Sequence, residues 1–124
     1  MTRLQLNKKW QEARHYEKVI SRTVAIEFPS VKSITILWNN GNILSESPNK
    51  WDVEPSERFN FYIGCGYREC VEGGFDLTEI VRHSIKQKET QAGTIRCCGW
   101  EDMERYKRFR CDNTIYYSIS AEFE

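Results

Sequence analysis

Five cysteines carry most of the chemistry this chain has to offer: Cys65, Cys70, Cys97, Cys98 and Cys111. A structural zinc ion takes four tetrahedral thiolate or imidazole ligands, usually offered as two close pairs from loops at the ends of elements. Cys65 and Cys70 supply one pair in a Cys-x4-Cys spacing; Cys97, with Cys98 as its substitute, and Cys111 supply the other. Each lies where an element is expected to start or stop, which defines a metal-binding loop region around 65–76 and 97–111. Gly64 and Gly66 flank Cys65 and are expected to let the backbone wrap close to an ion. Arg68, Arg96 and Arg110 adjoin the cysteines and would offset the two negative charges of a tetrathiolate zinc. His15 and His83 are alternative ligands. The competing expectation is that the thiols are small hydrophobes in a core, since free cysteine is among the most buried residue types.

Other chemistries fit less well. The run GCGYRECVEGG before a helix suggests an anion cradle. However, Asp76 and Glu79 occupy that helix start, Glu69 and Glu72 add negative charge, and no GxGxxG or Walker pattern is present. A thiol-dependent enzyme needs a thiolate activated by a neighbouring base. Cys70 with His83 or Arg68 is the nearest candidate, and nothing in the spacing singles it out. There is no Cys-x-x-Cys redox pair and no zinc-deaminase pattern. Glu101 and Asp102 are adjacent, so on a helix they do not face one site. A nucleic-acid contact has one supporting segment, 96–110, where Arg96, Arg105, Lys107, Arg108 and Arg110 alternate with Trp100, Tyr106 and Phe109. Basic and aromatic side chains in that arrangement grip phosphates and stack bases.

Composition limits these options. The chain has 124 residues, one ordinary domain's worth, and equal numbers of basic and acidic side chains, 18 each. A generic nucleic-acid or membrane-surface binder carries an excess of positive charge. The charge is uneven: residues 40–79 carry a net of −5 and residues 80–111 a net of +4. The aromatic content excludes a disordered chain. The N-terminal residues lack the apolar core of a signal peptide, and no run is long enough to cross a bilayer. A cytoplasmic setting is therefore expected, with the thiols reduced and available as ligands.

The positioning elements follow from periodicity. Residues 7–28 read as a helix with a single stripe of Trp10, Ala13, Tyr16, Val19, Ile20, Thr23 and Val24, and Asn7 as N-cap. Val31–Trp38 alternates as a strand, Asn39–Asn42 is a turn, and Ile43–Leu44 begins a short return. Residues 45–57 read as a polar loop whose Trp51 folds onto the core. Residues 59–65 form a strand that places Cys65 at its end. Asp76 and Glu79 spell a capping box, with Phe75 and Ile80 as its hydrophobic staple, and Gly93 marks the helix stop. Thr94–Cys98 is a short strand, 101–109 a short helix, and Ile115–Phe123 the clearest strand pattern of all.

These elements predict a single small α+β domain over 1–124: a mainly antiparallel sheet with two longer helices packed on one face. The functional expectation is a small cytoplasmic interaction module, stabilised by a structural zinc and acting through protein contacts. The alternatives are a nucleic-acid-associated module using 96–110 and, behind it, a thiol-dependent enzyme.

Overall fold

A computed structural model describes residues 2–67, 69–101 and 110–124. Within them the order is α1 (Arg3–Ile20), α2 (Val24–Glu27), β1 (Val31–Asn40), β2 (Asn49–Val53), β3 (Tyr62–Gly64), β4 (Gly74–Asp76), α3 (Thr78–Gln87), β5 (Gln91–Arg96) and β6 (Thr114–Phe123). Four strands form an antiparallel sheet in the order β2-β1-β6-β5, and β3 pairs with β4 in a separate two-stranded sheet. The α+β architecture expected from the periodicity is the one observed.

The main core lies on one face of the larger sheet. Alternation brings Ile34 and Ile36 of β1, Val53 of β2 and Ile119 of β6 to that face, where all four are fully buried or nearly so. Val81 and Ile85 of α3 close over them, with Leu77, Phe59 and Phe61. Trp51 stands over Phe61 with ring centroids 5.5 Å apart, and Phe59 meets Phe61 at 5.0 Å. Each such side chain contributes about 1.5–3 kcal/mol by leaving water. Trp51 thus folds onto the core as its position suggests, and it does so from a strand.

That strand is one of several local differences. The return strand is β2, because Trp51 and Val53 point inward opposite Ile36 and Ile34 while Lys50 and Asp52 face out. Ile43 and Leu44 stay exposed in the turn, which Asn39 organises: its Nδ2 donates to Ile43 O and its Oδ1 accepts from Ser45 N. Phe59 and Phe61 are buried as alternation predicts, but pairing is confined to Tyr62–Gly64.

Both long helices start elsewhere than expected. Thr2 caps α1 in a capping box with Gln5, so Asn7 lies inside the helix. No residue of α1 is buried, and Tyr16, Val19 and Ile20 are exposed. Of the expected stripe within α1 only Trp10 docks, and Arg3, Leu6, Asn7 and Arg14 complete that face. The helix stops at Ser21, and Thr23 caps the separate turn α2. At α3, Asp76 is paired in β4 with Tyr62 and cannot serve as N-cap. Its Oδ1 accepts from Thr78 N in a tight turn, and Leu77 takes the cap position with no side-chain hydrogen bond. The Asp76–Glu79 capping box does not form. Lys88 ends α3 in the left-handed region at φ 54°, while Gly93 sits in β5 opposite Tyr117. The short helix expected over 101–109 falls almost wholly outside the described residues.

Candidate metal centre

Four separate pieces of backbone deliver the four thiols. β3 ends at Gly64 and presents Cys65; the loop from there to β4 carries Cys70. β5 ends at Arg96 and presents Cys97, whose amide donates to Asn113 O at 2.8 Å. Cys111 enters β6 from the other side, its amide donating to Gly99 O at 2.8 Å. The two halves are clamped at Trp100, which exchanges backbone hydrogen bonds with Val71 at 2.7 and 3.0 Å.

The result is convergence. The Sγ atoms of Cys65, Cys70, Cys97 and Cys111 all lie within 4.8 Å of one another. Cys70 and Cys97 stand 3.5 Å apart, and Cys65 and Cys111 3.8 Å. A tetrahedron with metal–sulfur bonds of about 2.3 Å has edges of about 3.8 Å, so the donor set suits one ion with little adjustment. Cys97 and Cys111 are fully buried and Cys70 nearly so; Cys65 is partly exposed. The two sequence expectations, ligands and core thiols, turn out not to exclude each other. Cys70, Cys97 and Cys111 pack with Phe75 and Ile115 into a second small core.

Hydrogen-bond donors point at the sulfurs. Gly74 N and Gly99 N donate to Cys97 Sγ at 3.2 and 3.4 Å. Tyr67 N and Asn113 Nδ2 donate to Cys65 Sγ at 3.5 and 3.4 Å. Cys65 and Cys97 therefore head the same kind of turn, in which the amide two residues on reaches back to the sulfur. Such donors favour thiolate over thiol and are typical partners of metal-bound sulfur. The hydrogen bond from Cys70, with the Gly99 and Gly74 amides, pulls the Cys97 thiol down to about 5 despite its burial. Cys70 is held well above the usual thiol range by that same shared hydrogen bond and by burial. Burial also pushes Cys111 up to about 12. Without metal the shared hydrogen bond and the two amides thus favour thiolate character at Cys97, while burial favours the neutral thiol at Cys70 and Cys111.

Some residues expected near the site have other roles. Cys98 lies outside the group: it is exposed, with its Sγ 3.8 Å from Glu72 O, so Cys97 rather than Cys98 joins the cluster. His15 and His83 are exposed on α1 and α3 and do not reach it. Arg96 is tied to the site, its Nε donating to Cys111 O at 2.9 Å, and Arg110 stacks on the Trp100 ring at 5.3 Å. Arg68, Arg105, Lys107 and Arg108 lie outside the described residues.

The glycines that matter are also not the expected ones. A Cβ added at Gly64 or Gly66 would meet nothing within 4 Å. At Gly73 it would stand 2.7 Å from Cys97 Sγ and closer still to Cys70 Sγ. At Gly99 it would stand 2.6 Å from Cys70 Sγ. The sulfurs pack directly onto these two backbone positions, a demand that spacing alone does not reveal. Gly73→Ala is expected to lower stability by about 1–3 kcal/mol, as overpacking does. Gly66→Ala is expected to stay within about 0.5 kcal/mol. Urea titration of the two variants against the parent checks this, and equal effects would contradict the packing described.

No protein-family model matches the chain, and no curated protein or solved structure matches it. Among the described residues, no helix is long and apolar enough to cross a membrane.

Proposed function

We propose that Cys65, Cys70, Cys97 and Cys111 hold a structural zinc ion in a small binding module that acts through protein contacts in the reducing cytoplasm. The observation that carries this reading is the convergence of four sulfurs within 4.8 Å, with amide donors aimed at two of them. An all-sulfur tetrahedral donor set suits zinc or iron. Four protein ligands leave no open position for substrate, which favours a structural role over a catalytic one. Exposed Leu4, Tyr16, Val19 and Ile20 on α1 and Ile26 on α2 support a surface that meets other proteins.

Metal analysis of the purified protein tests the reading. It expects about one equivalent of zinc per chain. Less than about 0.2 equivalents of any metal, with all five thiols titrating freely on unfolding, would remove it. The pH dependence has a definite sign. Cys70 and Cys111 hold their protons at neutral pH, and metal must displace both. Zinc affinity should therefore rise with pH, by at least about 100-fold per unit, since these two thiols alone release two protons. In the metal-free protein the lowered Cys97 favours folding above the ordinary thiol value of 9.0, and that contribution is lost as pH falls through about 5. The raised Cys70 and Cys111 work in the opposite sense and weaken the fold as pH climbs past 9.0. Competition with a chromophoric chelator between pH 6 and 8 measures the slope; a flat profile would contradict thiol ligation.

A further inference from the structure

The docking of α1 is unusual in its chemistry. Nearly every described contact it makes beyond itself lands on residues 62–76, the segment that carries Cys65 and Cys70. Asn7 brackets the backbone there: its Nδ2 donates to Cys70 O at 3.2 Å, and its Oδ1 accepts from Glu72 N at 3.0 Å. Trp10 Nε1 donates to the Tyr62 hydroxyl at 2.9 Å, and that hydroxyl donates onward to Gly73 O. Burial raises Tyr62 to about 12, so it keeps the proton it donates. Gly73 is the residue packed against the Cys70 and Cys97 sulfurs. The Arg14 guanidinium lies between the Trp10 and Tyr62 rings, 4.4 and 4.5 Å from their centroids, and 3.7 Å from Asp76. Arg3 pairs with Glu69. The exception is Lys18 over the Trp51 ring at 5.9 Å.

From this we infer that α1 docking is thermodynamically linked to metal occupancy, with Asn7 as a positioning residue for the Cys70 arm. The inference rests on the zinc reading above. A helix of 18 residues with none buried has little to hold it except its platform, and helices in proteins owe most of their stability to such packing rather than to propensity. The platform is the β3–β4 pair and the loop between them; the Val71–Trp100 backbone pair and the Cys98 amide on Gly74 O tie it to the other half, and the loop's two thiols reach into the sulfur cluster. When the ion leaves, Cys65 and Cys70 lose their common partner, and the Cys70 carbonyl and Glu72 amide no longer sit at a fixed spacing for Asn7 to read. Linkage is reciprocal: the factor by which zinc tightens α1 is the factor by which docked α1 tightens zinc. Release of α1 would part Trp10 and Arg14 from Tyr62 and expose further three side chains that are half-buried while the helix is docked.

The experiment uses the full chain with Zn(II) alone as the ligand. Hydrogen exchange is followed by mass spectrometry before and after zinc is withdrawn by a chelator. Amides of 3–20 are expected to lose protection while those of β1 and β6 keep theirs. Asn7→Ala is expected to weaken zinc about 10–100-fold, the usual effect of losing an outer-shell partner. Glu12→Ala, on an exposed face of the same helix, is expected to leave zinc affinity unchanged. In the Co(II)-substituted protein, Asn7→Ala should also shift the thiolate charge-transfer band, which a purely structural role would leave in place. Zinc bound by native mass spectrometry, with α1 exchange indifferent to its removal, would overturn the linkage and spare the metal reading. No zinc bound to the parent chain would overturn both. If Asn7→Ala fails to fold, seen as lost protection in β1 and β6, the chelator arm on the parent protein decides the question.

Discussion

Cys97→Ser is expected to abolish stoichiometric zinc binding, with affinity down by more than about 100-fold. It should also cost more than about 4 kcal/mol of stability, the range reserved for losses such as a metal or a buried network. Cys97 is the centre of the cluster in three respects. It is fully buried, it receives two backbone amides, and it is the sulfur that shares a hydrogen bond with Cys70. Serine there shortens the reach to the ion and offers a poor ligand to a soft site. The matched control is the next residue. Cys98→Ser changes an exposed thiol outside the sulfur group and should stay within about 0.5 kcal/mol with full zinc content. Elemental analysis and urea titration of the two variants read both quantities. Identical behaviour of the pair would show that the four-sulfur cluster has no special role.

Phe61→Ala is the second large effect, and it should separate the two cores. Phe61 is fully buried between Trp51 and Phe59, and truncating such a ring costs about 3–5 kcal/mol. Its backbone also ties α3 down: Phe61 O accepts from Leu77 N, and Phe61 N donates to Thr78 Oγ1. The sulfur cluster belongs to the other core, with Phe75 and Ile115, and the two share the half-buried side chains of Trp38, Ile63 and Ile95. The variant should therefore melt at lower denaturant yet keep about one zinc per folded chain. Parallel loss of metal and stability under conditions where the chain remains folded would mean that the two layers form one cooperative unit.

Much of this architecture is legible in the sequence because it rests on alternation. Ile34, Ile36, Ile115 and Ile119 announce their strands, and the two central strands β1 and β6 fall where the pattern puts them. What local patterns miss is set by partners distant in the chain. Asp76 and Glu79 have the spacing of a capping box, but pairing of Asp76 with Tyr62 removes it from the cap. The apolar residues of α1 suggest a buried stripe, yet polar atoms on residues 62–76 outcompete it for the docking face. The four cysteines that converge were the four the spacing favoured. Their supporting groups, Gly73, Gly99, Trp100 and Asn113, were invisible because each acts through its backbone or across a fold that spacing does not encode.

The sheet order β2-β1-β6-β5 has a consequence for how the protein is made. β6 lies between β1 and β5, although it follows both in the chain. As the polypeptide leaves the ribosome, β1 and β2 can pair at once, but β5 has no neighbour until Thr114–Phe123 has been synthesised. Cys111 emerges just ahead of that strand. The fourth thiol and the strand that closes the sheet therefore become available together, and completion of the four-sulfur cluster and sheet closure fall in the same late step. Until then the nascent chain presents an unpaired edge of β1 and three of the four cluster thiols, the state in which chaperone binding and premature oxidation compete with folding.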